Sequence, residues 1–349
     1  MKFFLRLVAA VVVLAILAGA GYAGYWYLAA GKTREAIEAW AASNTTDPAV
    51  RIGAVTVSGF PNRVVAVIDS IEVSRPGGSL PWQYKAENVR LARALSGTTT
   101  TINVLGPQTL TYTAGGQQQV ARATAGLFAL ELRSDDDGKF TGFGLAVGDL
   151  KMDRPNAPQL SAKRVNIQFG QGSGLPGVLN DRSRMTFRFD GLTLPEHRRG
   201  ALGDTLDQLS FNAQLTQPLK NLDLPVSLAQ WRDAGGYVTF TDVVVKWGTL
   251  DLVSFGSGVL RLDEQYRPKG GMNAGVANYL QAIDAFHAAR KLSEEARAAA
   301  NAAVNFLGQR AATTGRIGLM MDIDNGNVAV GPATLGTVGP VLPGVAAPG

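Results

Sequence analysis

The 349-residue sequence contains no cysteine and only two histidines, His197 and His287. The absence of cysteine excludes disulfides, thiolate nucleophiles and cysteine-bound metal centres, and it leaves the redox state of the compartment undecided. A histidine-based metal site would need several suitably spaced ligands. The acid near His287 is Asp284, three residues before it, and no second histidine is spaced to join them. We therefore predict no metal ion, no cofactor and no catalytic histidine.

Charged residues are also scarce, at 17% of the chain, with 33 basic and 28 acidic side chains and a net charge of +5. The basic excess is small and spread along the chain. No lysine- and arginine-rich run with interleaved aromatic residues marks a nucleic-acid surface, so we predict no nucleic-acid partner. The mild positive charge fits a neighbouring anionic membrane, and 46% apolar residues are enough for a sizeable core.

Recognisable catalytic motifs are missing as well. The glycine-rich stretch Gly170–Gly177 lacks the lysine and hydroxyl residue of a phosphate loop, and Gly256–Gly258 lies between predicted strands rather than in a nucleophile elbow. The acid run Asp135–Asp137 lacks the spaced ligands of a calcium loop and is predicted to be a hairpin tip. These absences indicate a protein that is not an enzyme. A hydrolase built on two carboxylates that meet only in space stays open as an alternative.

One long apolar run is present, at the amino terminus. Leu7–Ala30 is uncharged and follows Lys2 and Arg6, and it exceeds the roughly 20 residues that a helix needs to cross a bilayer core. Ala18–Ala20 would suit a cleaved secretory signal, but the run continues past it, which favours an uncleaved signal anchor. We predict a single-pass inner-membrane protein with a cytoplasmic amino terminus and its bulk in the periplasm. Four aromatic residues are predicted to lie at the far membrane interface: Tyr22, Tyr25, Trp26 and Tyr27.

Beyond the anchor, the sequence is dominated by strand patterns. Residues 31–48 are predicted to form a juxtamembrane helix and linker, and residues 49–331 an exported antiparallel β domain. Within that domain, candidate strands recur about every ten residues, which is the spacing of meanders and sandwiches. Residues 332–349 form a tail rich in glycine, proline and alanine. We predict a mainly β fold, with a large curved sheet or a sandwich-like groove after a transmembrane helix.

Two stretches of this domain stand out. Gly236–Gly271 has the clearest alternation of apolar and polar residues, with glycine at the bends. Residues 276–310 are predicted to be a helical hairpin, which begins with a helically spaced stripe and continues after an amino cap at Ser293. The hairpin is interpreted as closing one end of the sheet, with a mobile lid as the alternative. The stripe consists of Val276, Tyr279, Leu280, Ile283 and Phe286.

Several short sequence motifs together resemble one family, domain of unknown function 2125, whose bacterial members look exported and membrane-anchored. The motifs are Gly59–Arg63, Lys246–Leu252 followed by Gly256, Leu260–Asp263, Pro268–Gly270, and Asn325–Val328 with Gly331 and Pro332. The tryptophan-glycine and L-x-L-D motifs are also similar to those of AsmA-like envelope proteins, a group associated with outer-membrane homeostasis and lipid movement. This resemblance implies an envelope protein that carries no catalytic residues.

A long sheet with one apolar face must cover that face with protein or with something else. If its cover is incomplete, the face will accept acyl chains, and the predicted anchor places it beside the lipids of the inner membrane. We therefore predict a noncatalytic protein that binds or transfers lipid or another hydrophobic ligand in envelope maintenance. A scaffolding partner of an envelope protein complex is the first alternative, and the hydrolase is the second.

Overall fold

The fold was described from a computed structural model, which describes residues 2–77, 81–94, 97–114, 117–154, 157–171, 183–193, 201–216, 224–290, 293–308, 315–330 and 333–341. Within the first helix, side chains are described from Ala20 onward. The elements are, in chain order, α1 (Lys2–Ser43), β1 (Ala49–Ile52), β2 (Val55–Ser58), β3 (Arg63–Arg75), β4 (Trp82–Ala94), β5 (Thr99–Val104), β6 (Gln108–Ala114), β7 (Gln117–Thr124), β8 (Leu127–Ser134), β9 (Phe140–Arg154), β10 (Ala157–Gln171), β11 (Ser183–Thr193), β12 (Thr205–Leu215), α2 (Leu224–Asp233), β13 (Val238–Trp247), β14 (Leu250–Ser254), β15 (Gly258–Leu262), β16 (Pro268–Ala277), α3 (Tyr279–Ala288), α4 (Glu294–Gly308), β17 (Ile317–Asp324), β18 (Asn327–Val330) and β19 (Ala333–Thr337).

The nineteen described strands form one antiparallel sheet that runs as a meander. In four places, two consecutive strands pair with different halves of one neighbouring strand and so form one interrupted strand. β5 and β6, for example, both pair with β4. The other three pairs are β1 with β2, β7 with β8, and β14 with β15. Fifteen strand-length runs therefore cross the sheet in the order in which they occur in the chain.

The pairing register gives the sheet one apolar face and one polar face. Opposite residues of neighbouring strands point to the same side, so one row can be followed across many strands. A row on the first side is apolar throughout: Val147, Val165, Phe189, Leu209, Val245, Leu252, Val276 and Ile317. A row on the other side contains only polar residues and glycine: Gly144, Gln168, Thr186, Asn212 and Thr241. We call these two sides the apolar face and the polar face.

Helices pack on the two ends of this sheet. Helix α1 packs against β1, β2 and β3, where Ile37 contacts a buried cluster that includes Val55 and Ile68. Helices α3 and α4 pack against β14 and β17 at the other end. Between these ends, no described helix makes more than marginal contact with the strands from β6 to β12. The confirmed part of the predicted fold is therefore a mainly β protein with one large antiparallel sheet.

The predicted helical insert is confirmed as two helices, but its predicted start at Val276 is wrong. Val276 is the penultimate residue of β16, where it is buried and pairs with Leu252 on one side and Ile317 on the other. Val276 precedes Tyr279 by three residues, which is also the spacing of an apolar stripe on a helix. Its β-branched side chain, however, favours a strand. The second helix does begin directly after Ser293, as predicted.

The first helix extends without interruption through the predicted juxtamembrane segment to Ser43. Of the predicted span Leu7–Ala30, residues 7–19 lie outside the part of the chain whose side chains are described. Among the residues that the structure does describe, no helix has the length and apolar character needed to cross a bilayer. At the other terminus, the predicted tail contributes β19, which pairs with β18.

Candidate ligand-binding surface

A cleft of about 610 Å³ lies beside α1 and is lined by the helix and by β3, β4 and β5; we call it the α1 cleft. It is bounded on the helix side by a stripe in which small side chains are frequent, and on the sheet side by mostly apolar residues. The helix residues are Tyr25, Ala29, Lys32, Thr33, Ala36, Ile37 and Trp40, and the sheet residues are Val64, Ala66, Leu91–Ala94, Thr100 and Ile102. Helix α1 therefore covers this end of the apolar face incompletely.

A second cavity, of about 190 Å³, lies on the apolar face near the other end; we call it the distal pocket. Its lining includes Phe211 of β12, Phe240 of β13, Leu260 of β15, Met272 of β16 and Met321 of β17. Five successive runs of a flat sheet would span roughly 20 Å. Because all five contribute to one small cavity, we infer that the sheet is curved here with its apolar face inside.

Five phenylalanine rings lie on the same face, on the strands from β9 to β13, and the last two of them line the distal pocket. Phe143 of β9 and Phe169 of β10 have centroids 5.5 Å apart, and Phe187 of β11 stacks on Phe211 at 4.7 Å. Phe211 in turn meets Phe240 edge-on at 5.5 Å. All five rings are partly exposed rather than buried. An apolar surface of this kind can hold hydrocarbon but offers no reactive group.

A third cavity, of about 650 Å³, is polar and lies near β1, β3, β4 and β6. Its one acid is Glu72, which lies 3.1 Å from Lys85 Nζ and accepts a hydrogen bond of 2.6 Å from Gln83. Burial alone would raise the pKa of Glu72, but the hydrogen bonds from Lys85 and Gln83 and the charge of Arg51 hold it below its ordinary value. A single ionised carboxylate cannot supply the acid and base pair of a glycosidase.

The predicted interface residues separate into one buried ring and three exposed ones. Trp26 is only 5% exposed, packs edge-on against Phe60 at 5.6 Å, and donates its indole N–H to the carbonyl oxygen of Arg63 at 2.9 Å. Tyr22 is 42% exposed and donates its hydroxyl to the carbonyl oxygen of Pro61, while Tyr25 and Tyr27 are more exposed still. The sequence did not indicate that Trp26 fastens α1 to the β2–β3 hairpin.

Replacing this tryptophan should loosen the first helix. We expect Trp26→Ala to cost about 3 kcal/mol of docking free energy, because it removes a buried ring and a hydrogen bond. Trp26→Phe keeps the ring and should cost about 1 kcal/mol. Hydrogen exchange of residues 31–43 in the detergent-solubilised full chain measures both. Equal protection in Trp26→Ala and the native chain would contradict this assignment.

A partly buried phenol on the apolar face makes stability depend on pH in the alkaline range. Tyr84 of β4 donates to Gln108 Oε1 at 2.8 Å, and burial raises the pKa of Tyr84 to about 12. The unfolded chain ionises this phenol near pH 10, so its contribution to stability is complete below pH 10 and is lost as the pH rises toward 12. We expect denaturation midpoints at pH 9 and 11.5 to differ less in Tyr84→Phe than in the native chain. An equal difference in both proteins would refute the assignment.

Two residues of the motifs that carry the family resemblance, Asp263 and Trp247, have structural roles. Asp263 closes the turn between β15 and β16 by accepting backbone N–H groups of Gln265 and Arg267 at 2.9 and 2.8 Å, with Arg267 Nε 2.7 Å from its other oxygen. Burial would raise the pKa of Asp263, but these bonds and the charge of Arg267 hold it below its usual value. Trp247 donates to the carbonyl oxygen of Gly203 at 3.2 Å. Neither residue borders any of the three cavities described above.

Those of the remaining sequence candidates that the structure describes do not assemble into a site. His197 and residues 172–177 of the glycine-rich stretch lie outside the described residues. The imidazole of His287 lies 3.1 Å from Glu294, and no group of three or more metal-ligating side chains occurs among the residues that the structure describes. The acid run is at a hairpin tip, as predicted, with Asp135 accepting the backbone N–H of Lys139 at 2.8 Å.

These features define a class: a single antiparallel meander with a largely apolar face, capped by helices at its two ends. The chain belongs to the family described as uncharacterized protein conserved in bacteria, domain of unknown function 2125, whose model matches residues 26–339. No curated protein and no solved structure matches the chain. The similarity to AsmA-like proteins stays a prediction.

Proposed function

We propose that this protein is a noncatalytic, inner-membrane-anchored periplasmic protein that binds or transfers lipid or another hydrophobic ligand in maintenance of the cell envelope. The observation that carries the proposal is the apolar face between β9 and β13, where stacked phenylalanine rings are partly exposed and no described helix packs extensively.

The extent of this face suits a hydrocarbon ligand. β11 and β12 have 11 residues each, which corresponds to about 35 Å of strand, and the five strands from β9 to β13 span roughly 20 Å. Val147 and Val165 on this face are buried, whereas the phenylalanine rings are partly exposed. Contiguous exposed apolar surface on a soluble domain is often functional.

The proposed ligand path is a curved groove that begins at the α1 cleft and ends at the distal pocket. Both cavities lie on the apolar face, and the phenylalanine rings follow that same face from β9 into the distal pocket. The membrane anchor is proposed from the apolar run Leu7–Ala30 and would place the α1 cleft at the bilayer surface.

Mass spectrometry of organic extracts tests this function. The full chain, purified in mild detergent from a bacterial membrane, should carry lipid in near-stoichiometric amounts after extensive washing. A control preparation of an unrelated single-pass membrane protein corrects for lipid carried by the micelle. A lipid content no higher than that of the control, together with no uptake of labelled lipid, would refute the proposal.

A scaffolding role is the second candidate, because a protein partner could also cover the apolar face. One observation favours a partner: β19 pairs with β18 and with no further described strand, so its other edge can accept a strand from another chain. A stable protein complex recovered together with a lipid-free preparation would favour this role. The three cavities bring no two carboxylates together, so they lend no support to the hydrolase alternative.

A further inference from the structure

The α1 cleft combines an apolar interior with positive charge. Two of its lining residues are basic, Lys32 on the helix and Arg93 on β4, and no acidic residue lines it. We propose that this cleft is the entry site for one anionic phospholipid, with the phosphate group at Lys32 and Arg93 and the acyl chains on the apolar face. The inference rests on the proposed function and deepens it by naming the ligand class and its point of entry.

The side of the helix that borders the cleft carries several small side chains, which leave space beside the sheet. Ala29, Thr33 and Ala36 follow one another at intervals of three to four residues, and they line the same cleft as Ala66 on β3. Larger residues at Tyr25 and Trp40 mark the ends of the stripe. At 1.5 Å per residue, the distance between these ends is about 22 Å, which accommodates an extended acyl chain.

The basic side chains are available to an anion. Both Lys32 and Arg93 are exposed. Arg93 donates one hydrogen bond, from Nε to the carbonyl oxygen of Gly97 at 2.9 Å, and the guanidinium group has four further N–H donors. Arginine and lysine together are suited to phosphate because they combine a directional donor set with a point charge.

The position of Lys32 matches the level of lipid headgroups. It follows the last residue of the predicted span, Ala30, by two positions, so the proposed anchor would place its ammonium group in the interfacial region. The cavity volume of about 610 Å³ lies within the range of ordinary small-molecule sites.

An apolar row leads from this cleft into the middle of the sheet. Ile102, which lines the cleft, pairs with Leu130 of β8, and Leu130 pairs with Leu145 of β9. Leu145 pairs with Ile167, and Ile167 pairs with Phe187 among the stacked rings. An acyl chain that enters at the cleft therefore meets no polar side chain along this row.

Charge reversal in the full chain tests the entry site. The chain and its variants are purified in mild detergent, and the ratio of bound phosphatidylglycerol to phosphatidylethanolamine is compared with that of the source membrane. We expect the native chain to be enriched in phosphatidylglycerol, and Lys32→Glu with Arg93→Glu to lower the ratio at least fivefold. Arg90→Glu is the matched control, because Arg90 is an exposed arginine on the polar face of the same strand. Lys32→Arg with Arg93→Lys should restore the enrichment.

Filling the cleft gives a second, independent measurement. Ala36→Trp places a large ring in the stripe of small residues and should reduce total bound lipid severalfold. An unchanged headgroup ratio in the charge-reversed chain, or unchanged total lipid in Ala36→Trp, would overturn the entry site while leaving the proposed function intact. No lipid on the native chain would overturn both.

Discussion

Phe187→Asp is expected to reduce the lipid that co-purifies with the full chain at least about tenfold. The side chain of Phe187 lies in the middle of the apolar face, stacked on Phe211 at 4.7 Å. A carboxylate at this position would have to lose water when hydrocarbon covers it, which costs several kcal/mol, and 1.4 kcal/mol already corresponds to a factor of ten in affinity.

The neighbouring residue provides the control for this substitution. Thr186 lies on the same strand but on the polar face, opposite Asn212. Thr186→Asp introduces the same charge into the same strand, so a loss of lipid caused merely by a weakened β11 would occur in both variants. Equal lipid contents in Phe187→Asp and the native chain would contradict the placement of the ligand.

Gly270→Ala is expected to destabilise the β domain by about 3 kcal/mol or more. Gly270 lies on the floor of the distal pocket with φ at +141°, and a Cβ atom there would overlap the carbonyl oxygen of Val259 on the paired strand. Both the backbone conformation and the lack of space oppose a side chain, and the overlap can be relieved only by separating β15 from β16.

Gly138→Ala is the control that separates the effect of the Cβ overlap at Gly270 from the effect of the backbone conformation. Gly138 has φ at +80° at the tip of the β8–β9 hairpin, and an added Cβ atom there would meet nothing within 4 Å. Gly138→Ala should therefore cost only the backbone term, about 1 kcal/mol. Thermal unfolding followed by circular dichroism measures both variants, and equal losses would show that close strand packing at Gly270 is not the cause.

Much of the sheet was predictable because its signal is local. Alternating apolar residues in Gly236–Gly271 mark β13 to β16, and the first two bends fall at Gly248 and at Gly256, whereas Asp263 closes the third. The alternation also fixes which residues share a face once the strands pair in register. Asn325 and Gly326, a residue pair typical of tight turns, connect β17 and β18.

Other features depend on contacts that a local pattern does not contain. The division between β7 and β8 is one such feature, because their partners β6 and β5 are themselves interrupted at Gly106 and Pro107. The sequence indicates only a membrane-interface role for Trp26, since nothing near it in the sequence indicates its hydrogen bond to Arg63, 37 positions away. The α1 cleft likewise depends on small residues from α1 and β3 that come together only in the fold.

Photo-crosslinking at two adjacent positions of β12 tests the central claim most directly. A benzophenone amino acid is placed either at Phe211, on the apolar face, or at Ser210, on the polar face of the same strand. The full chain is irradiated in cells, and lipid adducts are identified by mass spectrometry after purification. We predict adducts with lipid at position 211 and none above background at position 210. Equal labelling at the two positions, or adducts with protein alone at position 211, would contradict the proposal that lipid lies on the apolar face.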